Sequence, residues 1–433
     1  MSSSLHPQLQ PNSSGGGTKH TLAWAAFVLC LLVAPQVFAS SFAVGMLSQI
    51  ATASVVCLSY NLLLGQGGML SFGHAVYTGL GAFAAVHAMN LAGQQGWPVP
   101  LPLVPLVAGV TGLVIAAVLG WFSTRKSGTT FAMITLGLGE MMVAIALMFP
   151  QWFGGEGGIT TDRVYGEPLL GISFGPALQV YYLIAVYCVA CTAAMWAFTR
   201  TPLGAMLQAV RDNAERVAFV GYNPRHVRYL AVMVSGFFAG VGGGLAAIQF
   251  EIVTVADSMS MVRSGSYLLF TFLGGIAFFY GPILGAVLMV LCTVWLSEIT
   301  PAWMLYLGLL FMCMVMYAPG GLASLLLAGQ AQWQQVRHSQ WGLRAALRVC
   351  LQLLLVLCAL AGAVVLVEML YHLQWAQVSG DGLVLAGSEW NVRKPLDWST
   401  AVAMLFVGVG GWHVLRSSAG VHAGSAPVTK EQS

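Results

Sequence analysis

Glu140, His74 and Ser71 are the polar side chains of this sequence placed where chemistry at bilayer depth is possible. Glu140 lies in the middle of the apolar run 129–149, in T-L-G-L-G-E-M-M. A carboxylate at the centre of a bilayer costs about 2.5–3.5 kcal/mol on insertion scales, so it is expected to face the bundle interior and take a partner there. No Lys or Arg lies in a neighbouring apolar run, which leaves His74, a hydroxyl or a substrate ammonium as partners. A structural hydrogen-bonding role and a functional role both fit. Ser71 and His74 belong to Y-N-L-L-L-G-Q-G-G-M-L-S-F-G-H-A-V-Y-T-G-L-G-A-F (60–83). There Gly65, Gly67 and Gly68 break helix continuity, and Gly73, Gly79 and Gly81 permit close approach of helices. Interrupted, glycine-rich spans are where transporters build midplane sites, because freed backbone groups can hold a substrate. His74 either contributes to such a site or bonds a neighbouring helix. A second broken region, Leu273-Gly274-Gly275 followed by Gly281-Pro282 and Gly285, repeats the pattern weakly.

The other constellation is basic and aqueous. Residues 200–228 read R-T-P-L-G-A-M-L-Q-A-V-R-D-N-A-E-R-V-A-F-V-G-Y-N-P-R-H-V-R and hold five of the seventeen Lys and Arg residues. Thr201-Pro202 is a helix start. Leu203, Leu207, Val210, Ala214 and Val217 recur at three- and four-residue steps as one apolar stripe. Gln208, Arg211, Asp212, Glu215 and Arg216 fill the opposite face, with Arg211–Glu215 and Asp212–Arg216 spaced to pair along one helix. Gly221 closes it and Asn223-Pro224 prevents continuation. Such an ordered amphipathic element is expected to dock onto a partner rather than merely set topology.

The elements that must position these residues follow from composition. Hydrophobic residues make up 58% of the 433-residue chain and charged residues 7%, against about 25% charged in a soluble domain. The solvent must be lipid. Apolar blocks are continuous rather than alternating, which argues against a β-barrel. The expectation is an all-α integral membrane protein, a polytopic helical bundle of about 10–12 transmembrane segments, with interrupted Gly-rich helices and a cytoplasmic coupling helix at 201–221. With the N-terminus inside, thirteen Lys and Arg fall on the cytoplasmic side, and only Arg163, Arg263, Arg393 and Lys394 fall outside. The outer loops hold the acids Glu156, Asp162, Glu167, Glu251, Asp257, Asp381, Glu389 and Asp397. An even number of crossings then leaves both termini in the cytoplasm. Residues 1–20 read as a disordered cytoplasmic tail. Lys19 and His20 before the first run, and Val37-Phe38-Ala39 after it, resemble a leader, but the run's length favours an uncleaved anchor. The eight cysteines all lie in apolar runs, as small buried hydrophobes rather than a disulfide frame or metal site. No G-x-x-x-x-G-K-[ST] or H-E-x-x-H occurs, so ATP cradling and zinc-peptidase chemistry are not this chain's own.

Several motifs, in order, resemble those of permease subunits of ABC-type branched-chain amino-acid importers. They are L-S-F-G-H-A-V-Y-T-G-L-G-A (70–82), I-T-L-G-L-G-E (134–140), G-G-E-G-G-I-T (154–160), the 200–221 segment, Ser235-Gly236 with Ala239-Gly240, G-G-I-A with G-P-I-L-G-A (274–286) and A-P-G-G-L (318–322). The resemblance covers about residues 44–325. It implies no enzymatic activity and no cofactor in this chain, with ATP and Mg held by a partner. The implied partners are cytoplasmic ABC ATPase subunits, a second permease, a periplasmic binding protein and a small amino-acid substrate, with membrane lipid around and no nucleic acid. It implies a bacterial inner-membrane location and a coupling helix in which Gly204 and Arg211 match the motif, while Ala205 departs from a usual basic residue. Asp212, Glu215 and Gly221 lie in the same element. Ser71, His74, Glu140, Gly274 and Gly275 are the expected substrate-path positions, His74 and Glu140 matching family positions. The transport domain is expected over 21–325. Residues 326–433 depart from the family and read as an extension with two further spans and a polar outer loop carrying Trp375, Trp390 and Trp398. Two rival expectations are a gradient-driven secondary transporter using Glu140 as its ion or proton site, and a permease for urea or amides.

Overall fold

The computed structural model describes residues 16–95, 99–165, 173–300, 302–318 and 320–338; beyond these it describes scattered positions within 351–359, then 361–371, 382–385, 388–391, most of 394–407, and 410. The tail 1–15, Glu167, Trp375, Asp381, Arg393, Cys350 and Cys358 lie outside the described residues. Seven described helices are long and apolar enough to cross a membrane, or eight if the bent pair Trp303–Met316 and Gly321–Gly329 is one span; Thr21–Val37, Ala361–Tyr371 and Asp397–Val407 are shorter apolar helices.

The chain divides into two compact units. The first comprises Met1–Trp295 with Phe311–Leu325. Its opening helices are α1 (Gly16–Val37), α2 (Ser41–Asn61), α3 (His74–Gln95), α4 (Val104–Ser123), α5 (Thr129–Met148) and the short α6 (Pro150–Phe153). There follow α7 (Ala177–Thr199), α8 (Pro202–Asp212), α9 (Ala214–Phe219), α10 (Pro224–Phe250), α11 (Val255–Met259), α12 (Met261–Gly274) and α13 (Gly281–Val290). The centre is α10, packed on α4, α3 and α2. The reason is written in small residues at four-residue spacing. Gly236, Gly240 and Gly244 on α10 meet Ala108, Gly112 and Ala116 on α4, and a Cβ on Gly240 would lie 3.1 Å from Gly112 Cα. In lipid, helices gain from backbone-close packing rather than from the hydrophobic effect. Gly240→Val is therefore expected to cost about 3 kcal/mol, read as a lowered unfolding temperature of the full chain in detergent. An unchanged temperature would show that α4 and α10 tolerate separation.

Burial ranks the spans. The core windows of α10 and α3 are 78% and 72% buried, that of α5 only 22%, so α5 is the outermost. The apolar run 265–279 is divided between α12 and the turn after it. At 14 residues, α12 is about 21 Å long, short of the roughly 30 Å hydrocarbon core. At one end of the unit, β1 (Ile159–Thr160) and β2 (Ile252–Val253) pair antiparallel. Beside this ribbon Arg163 meets Glu251 at 3.5 Å and donates to the carbonyls of Phe174 and Gly175. Two of the expected outer charges thus neutralise each other. Tyr165, in the same loop, donates to Val99 O at 3.1 Å, and burial pushes its phenol up to about 12. Of the cysteines, 57, 188, 191 and 292 are buried as expected, whereas Cys30 and Cys313 are exposed on the protein surface; both lie on apolar helices, where lipid is an adequate surrounding.

The second unit comprises Leu296–Leu310 and Leu326–Ser433, taking in α14 (Ser297–Ile299) and parts of α15 (Trp303–Tyr317) and α16 (Gly321–His338). Val365, Met369 and Ala401 form its small core. Glu368, 6% exposed, accepts from Thr300 Oγ1 and, at 2.8 Å, from the Tyr306 hydroxyl. β3 (Gly382–Leu385) and β4 (Ser388–Asn391) form a hairpin within the stretch read as a polar loop.

Candidate functional site

The basic segment folds as two helices rather than one. Thr201 caps α8 by accepting from Gly204 N at 3.2 Å, and Leu207 and Val210 are buried. Gly204 is required by proximity, since a Cβ there would lie 2.8 Å from Thr199 Cα. Asn213 then takes extended backbone (φ −159, ψ 101), ends α8 and caps α9 by accepting from Arg216 N at 2.9 Å. This corrects the expectation of pairs at Arg211–Glu215 and Asp212–Arg216, because the four-residue register is lost across the break. Arg211 pairs instead with its neighbour Asp212 at 3.1 Å, and Glu215 sits exposed in the first turn of α9. Gly221 (φ +97) closes α9, with Tyr222 N bonding back to Val217 O at 3.3 Å. Phe219, at the tip, is 90% exposed, and Val220 and Tyr222 are exposed beside it.

α8 lies directly against the first broken region. After Asn61 the backbone widens into a π-helical turn, Leu62–Gln66, and Gly68 follows at φ +63. π-turns inside α-helices commonly mark functional positions. Arg211 Nη1 donates to Gly65 O at 2.5 Å and Gln208 Nε2 to Gln66 Oε1 at 2.5 Å. A Cβ on Gly68 would lie 2.8 Å from Arg211 Cγ, and one on Gly65 2.5 Å from Ile276 O. The 62–68 turn therefore touches α8 on one side and the second broken region on the other.

The loop between Gly68 and α3 is held from several helices. Tyr60 donates to Ser71 O at 2.8 Å and accepts from Ser71 N; Phe72 N donates to Thr135 Oγ1 at 3.1 Å and Ala75 N to Ser264 Oγ at 3.0 Å. His74 is fully buried, 3.0 Å from Ser59 Oγ through Nε2 and edge-on to Tyr60 and Tyr77. The Ser59 hydroxyl donates to Val56 O at 2.7 Å, so the imidazole is the donor at Nε2 and its Nδ1 lone pair has no partner. In this conformation His74 bonds a neighbouring helix and meets no open space. Gly274 and Gly275 lie where α12 turns into α13, with Gly275 at φ +116; a Cβ there would lie 2.6 Å from Gly320 O.

Glu140 departs from expectation. It does not face the interior of this chain but lies exposed on α5, on the face that carries Met133, Gly137, Met141 and Ala144. The small residues at 137 and 144 leave the carboxylate uncovered from both neighbouring turns. Arg263 and Asp257, read at first only as outer charges, line a cavity described below. Neither Asn213 nor Phe219 was singled out by pattern; Asp-Asn inside the amphipathic run is a cap signal that would have found the first. Among the described residues no group of three His, Cys, Asp or Glu side chains is placed to hold a metal ion.

A bundle of apolar helices, two central interruptions and an amphipathic pair seated beneath one of them define a polytopic membrane permease. The chain belongs to the family described as branched-chain amino acid transport system / permease component, which matches residues 42–319. It is 26% identical to the high-affinity branched-chain amino acid transport system permease protein LivM of Salmonella typhimurium, over 65% of this chain and 71% of that protein. It is likewise 26% identical to LivM of Escherichia coli, over 62% and 67%. The guanosine ABC transporter permease protein NupQ of Bacillus subtilis is 27% identical over 47% of this chain and 68% of its own. No solved structure matches the chain.

Proposed function

We propose that this chain is one of two membrane subunits of an ATP-driven importer that brings branched-chain or related small amino acids into the bacterial cytoplasm across the inner membrane. ATP is hydrolysed by separate cytoplasmic subunits, and a periplasmic binding protein delivers substrate. Residues 21–325 are the transport domain and 326–433 an extension, with both termini cytoplasmic. The observation that carries this reading is the α8–α9 pair, capped and buried on one face, bonded through Arg211 and Gln208 to the 62–66 turn, and presenting Phe219 outward. A large aromatic, 90% exposed at an aqueous tip, is the kind of anchor that fills a pocket on a partner. The likeness to two LivM permeases supports the substrate class.

The second membrane subunit has its own support. An ionisable side chain in a span faces protein or a water-filled path rather than lipid. The α5 face carrying Glu140 is bare in this chain alone, so a second permease covers it, and Glu140 lines the path between the two. A secondary transporter acting alone would leave both this face and Phe219 without purpose.

Affinity purification of the tagged full chain in mild detergent tests the reading. An ATPase is expected to co-purify with the wild type, and its recovery to drop by about tenfold with Phe219→Asp, the scale of one lost hot-spot contact. A chain that purifies alone, and transports in liposomes without ATP, would overturn it.

A further inference from the structure

Between α2, α3, α10, α11, α12 and α13, towards the end of the bundle that bears the β1–β2 ribbon, lies a cavity of about 330 Å³, at the small end of the range for ligand sites. Its polar lining includes Gln49 and Tyr267, and beside them two contrasting sets. Thr78 donates to Ala75 O, Ser258 to Thr254 O and Thr293 to Met289 O, each satisfied by its own helix or turn. Thr52 Oγ1 from α2, Gln249 Oε1 from α10 and Arg263 Nε from α12 are buried and have no hydrogen-bond partner. Gln249 cannot turn away, because its amide nitrogen is fixed on Gly45 O at 3.0 Å. The Arg263 guanidinium lies 5.5 Å from the centre of the Tyr267 ring and leaves its buried Nε–H unbonded, a donor that an anion would satisfy, and carboxylate matches its fork. One wall carries the exposed carboxylate of Asp257, held by Thr254 Oγ1 at 2.8 Å rather than by Arg263. The remaining walls are apolar, from Val56, Ala82, Ala246, Phe250, Met289 and Val290.

A cation and an anion set in one small cavity, unpaired with each other and backed by aliphatic walls, complement a molecule that carries both charges and an apolar remainder. We infer that this cavity is a binding site, within the single chain, for a zwitterionic amino acid with a small apolar side chain. Its carboxylate is taken by Arg263, its ammonium by Gln249 Oε1, Thr52 Oγ1 and Asp257, and its side chain by the aliphatic wall. The ligand class rests on the importer reading above; the site rests on the unpartnered atoms. Glu140 and the α5 face take no part in it, so a substrate meets this chain at two separate places.

The test uses the full chain in phosphatidylcholine nanodiscs, with radiolabelled leucine in a scintillation proximity assay. Saturable binding is expected, competed by norleucine but not by leucinamide, which lacks the carboxylate. Arg263→Gln is expected to weaken it at least tenfold, and Ala246→Trp, which fills the cavity, to remove it. Should Arg263→Gln fail to fold, Ala246→Trp and the competition series decide the matter on their own. Absence of saturable leucine binding, competition by leucinamide equal to that by norleucine, or wild-type affinity in a folded variant would overturn the site. A dependence on added anionic lipid in place of leucine would overturn it too, by assigning Arg263 to a headgroup phosphate. Leucine uptake by cells carrying the assembled transporter separates the two claims. Uptake that needs this chain while the purified chain binds nothing removes the site and leaves the importer. Uptake that does not need this chain removes the importer reading, whatever the binding result.

Discussion

Cells that depend on Arg211→Ala protein are expected to take up leucine about tenfold more slowly, while the ATPase partner still co-purifies. The magnitude follows from one contact. Arg211 Nη1 supplies a charged hydrogen bond to Gly65 O, worth about 1.5–3 kcal/mol in general, and about 1.4 kcal/mol is already tenfold. The separation of effects follows from position. Arg211 bonds upward into the 62–66 turn, whereas Phe219, Val220 and Tyr222 carry the exposed tip. Removing the first therefore loosens transmission without removing the anchor. Arg211→Lys keeps the charge but not the fork, and is expected to fall between. Gln66→Ala, which removes the parallel bond from Gln208, is expected to combine with Arg211→Ala non-additively, since the two bonds hold one turn. Wild-type uptake in Arg211→Ala would dismiss the contact. Loss of the ATPase from that variant would reassign Arg211 to docking.

Glu140→Leu is expected to act in opposite directions on the isolated chain and on the assembled transporter. Alone, the chain exposes a carboxylate half-way along its least buried span. Replacing it relieves a cost of about 2.5–3.5 kcal/mol at the bilayer centre, so the purified chain is expected to unfold at a higher temperature in lipid. In the proposed two-permease transporter, the same change would remove a polar lining group from the path, and uptake is expected to drop about tenfold, the scale of one lost charged hydrogen bond. A lower unfolding temperature would mean that Glu140 has a partner within this chain. Undiminished uptake at normal expression would remove it from transport.

Much of this architecture was legible from residue types, because lipid makes the code strict. Continuous apolar runs, Thr201-Pro202, Gly221 and Asn223-Pro224 each marked an element end that the fold uses. Periodicity could not reveal that Asn213 divides the amphipathic element. The apolar stripe passes through the break, and the mark of it is the capping residue itself, which ends one helix and caps the next. Glu140 was misdirected for a related reason. The cost of a buried charge says that it needs a partner, but not whether that partner belongs to the same chain. The cavity was out of reach because Thr52 on α2 lies far in sequence from Gln249, Asp257 and Arg263, which sit on three successive helices with no pattern that turns them toward one space. His74 was the balanced case, and its bond to Ser59 at 3.0 Å gives it a structural task whatever else it does.

The glycine-spaced contact between α4 and α10 constrains how such a machine can work. Helices whose backbones touch along three successive turns cannot slide or bend past one another without collision. α4 and α10 are therefore expected to move together. The helical interruptions lie elsewhere, at the π-turn 62–66 and the turn at 274–281, which meet where Gly65 faces Ile276 O. On the importer reading, a push delivered through Arg211 would arrive where the two interruptions touch, and conformational change would be a rocking on that paired pivot rather than a loosening of the bundle.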